Sequence, residues 1–68
     1  MDDDVLNMSV RKFLKNVGVS SQRQIEESVR KALANGGLQD GTAIPVKIIL
    51  ELETLDEPFV VQGEIKTS

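Results

Sequence analysis

The spacing of the apolar residues changes near residue 41, and this change constrains the fold more than any other feature of the sequence. Before it, apolar residues recur every three or four positions, which is the period of an amphipathic α-helix. After it they recur at every second position, as in a strand with one face turned to a core. The sequence therefore predicts an α+β protein in which a helical half precedes a β-hairpin.

Two helices are predicted in the first half, over about residues 3–17 and 21–35. The first would end at Gly18, because glycine readily takes the left-handed conformation that terminates helices. The second would begin near Ser21, which fits a capping box with Gln24. Only two or three residues would join them, so the sequence predicts a tight helical hairpin or corner.

Two strands, over about residues 44–53 and 58–66, are predicted to form an antiparallel hairpin. The preferred register places Leu50 opposite Val61. A slip of one residue would turn one apolar set outward, so this register or its two-residue shift is favoured. The two N-terminal helices would pack on one face of the hairpin, giving an α-α-β-β order in a single domain of residues 1–68.

The composition excludes several kinds of active site. The chain has 68 residues and no Cys, His, Trp or Tyr, which rules out disulfides, thiolate zinc sites and imidazole acid–base chemistry. We therefore predict no enzyme, no catalytic residue, no cofactor, no metal site and no small-molecule substrate. The acidic first residues and the lack of a long apolar run favour a cytoplasmic protein without membrane contact.

The outer face of the hairpin is the predicted interaction site. Ile49 and Val60 would project from this face, together with Gln62, and both strand edges would be open. We predict a small non-enzymatic protein-interaction module that acts through its sheet face or edge. Its partner would be a second copy in a homodimer, or another protein that adds a strand. The alternative is that Ile49 and Val60 are single exposed apolar residues, which are common.

A less favoured alternative is weak nucleic-acid binding by the helical half. Residues 5–37 hold six basic and two acidic residues, whereas residues 38–68 hold two basic and six acidic ones. The basic residues would contact phosphates; they are Arg11, Lys12, Lys15, Arg23, Arg30 and Lys31. The junction at Gly18 is similar to a helix-turn-helix turn, but Ile25 is out of phase with that motif and a third helix is missing.

One family resemblance covers nearly the whole chain. It rests on Asp3–Lys15, Val17–Arg23, Ile25-Glu26 and the closing Phe59–Ile65. These stretches resemble a family of very small uncharacterised bacterial proteins that carry a domain of unknown function. The resemblance implies a bacterial, cytosolic, single-domain protein, and it supplies no activity, cofactor or catalytic residue.

Overall fold

The computed structural model describes every residue of the chain and contains one helix and one two-stranded sheet. The elements are α1 (Asp3–Ala34), β1 (Ile44–Leu50) and β2 (Phe59–Ile65), and the two strands pair antiparallel. The predicted α+β class and the antiparallel hairpin are therefore confirmed.

The chain divides into two compact units, Met1–Gly37 and Leu38–Ser68. The first contains α1 and the second contains the hairpin. The single domain of residues 1–68 remains a prediction.

The prediction of two helices is wrong, because α1 continues without a break through Gly18 and Ser21. Positive φ angles occur only at Gly36 (79°) and Gly41 (87°), so Gly18 does not take the left-handed conformation that ends a helix. A glycine inside a helix costs about 1 kcal/mol relative to alanine. With no proline within its length, α1 tolerates this cost.

Both ends of α1 lie within a residue of the predicted limits. At the N-terminus the Asp2 carboxylate accepts hydrogen bonds from the N–H groups of Asp4 (2.9 Å) and Val5 (3.2 Å). At the C-terminus the N–H of Asn35 donates to the carbonyl oxygen of Lys31 over 3.0 Å. These bonds satisfy backbone groups that have no partner within the helix.

The hairpin adopts the two-residue shift of the preferred register. Leu50 pairs with Phe59, and Ile44 pairs with Ile65. Both strands are shorter than predicted: β1 ends at Leu50, β2 begins at Phe59, and residues 51–58 form the connection. Within that connection the N–H of Leu55 donates to the carbonyl oxygen of Leu52 over 2.9 Å.

The two faces of the hairpin differ in polarity. Directly opposed residues lie on the same face of a pair of strands. The apolar face comprises Ile44, Val46, Ile48, Leu50, Phe59, Val61, Gly63 and Ile65. The mixed face comprises Pro45, Lys47, Ile49, Val60, Gln62 and Glu64.

No side chain in either unit is buried. Phe13 on α1 keeps 57% of its surface exposed, and Phe59 on β2 keeps 58%.

Candidate interaction surfaces

The structure brings the three predicted interface residues together on the mixed face. Ile49 lies directly opposite Val60, and Gln62 lies opposite Lys47. Ile49 is 52% exposed and Val60 is 44% exposed. Opposed side chains in an antiparallel pair have Cβ atoms about 4.5–5.5 Å apart. Ile49 and Val60 thus form one exposed apolar pair with polar neighbours, and its role as an interface remains a prediction.

The outer edge of β1 is weakened by Pro45. Proline has no N–H, so it fits a strand only where its nitrogen faces away from the neighbouring strand. Pro45 pairs with Glu64, and this pair must therefore be one whose backbone groups point outward. Hydrogen-bonded and non-hydrogen-bonded pairs alternate along an antiparallel ladder. The pairs at Lys47 and Ile49 therefore also point their backbone groups outward.

By the same reasoning, no N–H donor is missing from the outer edge of β2. Its outward-facing backbone groups belong to Val60, Gln62 and Glu64, and β2 contains no proline. Each of these three residues offers one N–H donor and one C=O acceptor to a further strand. The edge and the mixed face are thus formed by the same residues.

A shallow depression of about 330 Å³ lies across the middle of the hairpin. It is lined by Pro45, Val46, Lys47, Gln62 and Gly63. Because Gly63 has no side chain opposite Val46, the two strands are thinly covered there. The Lys47–Gln62 pair therefore lines this open depression.

A second open depression, of about 180 Å³, lies at the connection between the strands. Its lining includes three carboxylates, those of Glu51, Asp56 and Glu57. They do not converge, since no group of three or more His, Cys, Asp or Glu side chains is placed to hold a metal ion.

The basic residues proposed for phosphate contacts all lie on α1, which is continuous. At about 100° per residue, five of the six fall within an arc of about 120°. These are Arg11, Lys12, Lys15, Arg23 and Arg30. Glu26 lies inside the same arc, and its carboxylate is 3.7 Å from the guanidinium of Arg30. The arc is therefore basic but partly neutralised.

One surface of α1 was missed by the two-helix interpretation. Along the continuous helix, apolar or small residues recur with an eleven-residue repeat, which gives about 3.67 residues per turn. We call this set the helix seam: Leu6, Val10, Leu14, Val17, Ser21, Ile25, Ser28 and Ala32. Leu6, Val10 and Leu14 are exposed by 46% to 52%. The repeat was present in the sequence but is visible only when residue 18 is taken as helical.

Of the two serines in the helix seam, Ser28 already has a hydrogen-bond partner within α1. The Ser28 hydroxyl donates to the carbonyl oxygen of Ile25 over 3.0 Å. A serine bonded back to its own helix can face an apolar surface at little cost.

No helix of the structure combines the length and the apolar character that a membrane crossing would need.

Comparison with known protein families gives a match over the whole chain. A family model described as a family of unknown function (DUF6494) matches residues 1–68. No curated protein and no solved structure matches the chain. The resemblance to a family of unknown function is thereby confirmed, and it carries no activity to this chain.

Proposed function

Because the chain belongs to DUF6494, a family of unknown function, we propose a function from its own surfaces: it is a non-enzymatic protein-interaction module. The partner is an extended segment of another protein, which binds as an added strand along the outer edge of β2. The proposal includes the bacterial, cytoplasmic setting that the family resemblance implies.

The coincidence of a complete edge with an exposed apolar pair carries this proposal. In strand addition, main-chain hydrogen bonds supply affinity and side-chain contacts supply specificity. Val60, Gln62 and Glu64 would supply the main-chain groups. Val60, exposed on the same face, would contact a side chain of the added strand, and Ile49 would support Val60 from β1, about 10 Å from that strand. β1 is the weaker edge because Pro45 lacks a donor.

Gln62→Pro is the substitution that tests the edge. It removes an outward-facing N–H from β2 and leaves the groups that pair with β1 in place. The matched control is Lys47→Pro on β1, since Lys47 lies directly opposite Gln62 and its N–H also faces outward. Peptides selected from a displayed library against the wild-type protein provide the probe. We expect Gln62→Pro to weaken their binding roughly tenfold or more, the loss of about 1.4 kcal/mol, and Lys47→Pro to change it little.

Equal binding to wild type and Gln62→Pro would contradict the proposal. So would a selection that enriches no peptide. If the selection fails and the protein instead forms dimers that Gln62→Pro abolishes, the added strand is β2 of a second copy and not a segment of another protein.

The second candidate function is weak binding of nucleic acid through the basic arc of α1. The observation that favours it is the alignment of Arg11, Lys12 and Lys15 with Arg23 on one side of a single helix. A continuous helix can present such an arc to several phosphates at once. The ion pair of Arg30 with Glu26 reduces the charge available at the far end.

Charge reversal tests this candidate. Binding of a fluorescent single-stranded DNA at low salt should be lost when Lys12→Glu and Lys15→Glu are combined. The control is the single change Lys31→Glu, because Lys31 lies outside the arc and its loss should have a smaller effect. Association should also fall as salt rises, since phosphate contacts release counterions. If wild type does not bind in about 20 mM salt, where screening is weak, this function is excluded.

A further inference from the structure

We propose that Asn35 is a site of spontaneous covalent modification, at which the backbone nitrogen of Gly36 attacks the side-chain amide. The pair lies directly after the last residue of α1, and Asn35, Gly36 and Gly37 are all exposed. Glycine has no Cβ, so its nitrogen can approach a neighbouring carbonyl carbon without a steric clash and its backbone rotates freely. This inference concerns residues 35–37 and is independent of the strand addition proposed above, which uses only the hairpin.

The reaction needs no reactant except water. The nitrogen of Gly36 forms a bond to Cγ of Asn35 and gives up its proton, while the bond from Cγ to Nδ2 breaks and Nδ2 leaves as ammonia. The product is a succinimide ring, which water then opens at either of its carbonyl carbons. Breaking the new bond to Cγ gives aspartate in an ordinary main chain. Breaking the original peptide bond gives isoaspartate, whose main chain runs through Cγ.

The attacking nitrogen is free in the structure. The N–H of Asn35 donates to the carbonyl oxygen of Lys31 over 3.0 Å, whereas the N–H of Gly36 donates no hydrogen bond. The side chain of Asn35 makes one hydrogen bond, accepted by its Oδ1 from the N–H of Gly37 over 2.9 Å. Bringing the nitrogen of Gly36 to Cγ therefore breaks this exposed bond and none within α1. The cost is small, because water replaces an exposed hydrogen bond.

The other two asparagines, Asn7 and Asn16, lie inside α1 and are followed by Met8 and Val17. Within a helix each N–H donates to the carbonyl oxygen four residues earlier, so the nitrogens of Met8 and Val17 are engaged. Both residues also carry a side chain beside the nitrogen. Attack at Asn7 or Asn16 therefore requires the helix to open locally. The structure thus selects Asn35 among the three asparagines.

The Asp40-Gly41 pair can form the same ring by loss of water, but its hydrogen bonds oppose the attack. The N–H of Gly41 donates to Oδ1 of Asp40 over 3.0 Å and to Oγ1 of Thr67 over 2.8 Å. The nitrogen must give up both bonds before it attacks. A carboxylate is also a weaker electrophile than an amide. We therefore expect Asp40 to react more slowly than Asn35.

The modification changes the end of α1 in two ways. It makes the net charge of the chain one unit more negative than −3, and the new carboxylate lies at the C-terminal end of the helix dipole, where negative charge is unfavourable. Isoaspartate also adds one methylene to the main chain at residue 35, which displaces Gly36 and Gly37 from their positions at the cap. An aged sample is therefore a mixture of amide, aspartate and isoaspartate forms that differ at this helix end.

The first experiment measures the conversion of each asparagine in the folded wild-type chain. Samples are held at neutral pH, withdrawn at intervals and digested with trypsin. Cleavage after Lys and Arg places Asn7, Asn16 and Asn35 in separate peptides, the last covering residues 32–47. Mass spectrometry detects the replacement of an amide by a carboxyl group, and fragmentation assigns it to a residue. We expect Asn35 to convert roughly tenfold faster, or more, than Asn7 and Asn16.

The second experiment separates the effect of the fold from that of the Asn-Gly sequence. Met8→Gly places a glycine after Asn7, inside α1, and the side chain that it removes is 72% exposed. In the folded variant we expect Asn7 to convert roughly tenfold more slowly than Asn35, because the nitrogen of residue 8 is held in the helix. In urea, where the helix is lost, the two asparagines should convert at similar rates.

A wild-type chain in which Asn35 does not convert, or converts no faster than Asn7 and Asn16, would overturn the proposal. Equal rates at Asn7 and Asn35 in the folded Met8→Gly variant would overturn the selection of Asn35 by the fold. Neither result depends on peptide binding to the hairpin, so failure of this inference is distinguishable from failure of the proposed function.

Discussion

Gly18 was expected to end a helix, but the structure shows it within one. A glycine after an apolar stripe is a common helix end, because it adopts positive φ without strain. Here Gly18 is helical, and a Cβ built on it would meet nothing within 4 Å. Gly36, by contrast, does have a positive φ of 79° beyond the end of α1. The two glycines therefore make opposite contributions to stability.

Gly18→Ala should stabilise the protein by about 1 kcal/mol, because alanine has less conformational entropy to lose in a helix. Gly36→Ala should destabilise it by roughly 1–2 kcal/mol, because a side chain is strained at positive φ. Thermal unfolding followed by helical ellipticity, at one protein concentration, measures both. A loss of stability in Gly18→Ala would indicate that the helix ends at residue 18 after all.

At the scale of elements, the spacing of apolar residues predicts the hairpin less ambiguously than it predicts α1. The apolar residues of Leu6–Val17 and of Ile25–Leu33 are centred about 100° apart around the helix axis, so they resemble the stripes of two separate helices. Alternation in the strands is less ambiguous, since a period of two fixes which residues share a face. This alternation does not distinguish two registers that differ by two residues. The connection between the strands selects one of them.

Disulfides and structural metals, which stabilise many small proteins, are missing from the whole molecule. The chain has no cysteine, and no side-chain cluster is placed to hold a metal ion. A two-stranded hairpin alone is marginally stable in water. Small proteins without disulfides or metals gain stability by association, and the strand addition proposed above would supply it for the hairpin.

The sequence by itself determined the α+β class, the outer limits of the helical region and the sharing of faces within the hairpin. Each depends on side-chain periodicity and end chemistry, which act over a few neighbouring residues. It also placed Ile49, Val60 and Gln62 on one face. The continuity of α1 through Gly18 became visible only in the structure, and the strand register was decided only by the tertiary pairing of β1 with β2. The register depends on which pairings the connection between the strands permits, and such pairings join residues that are distant along the chain.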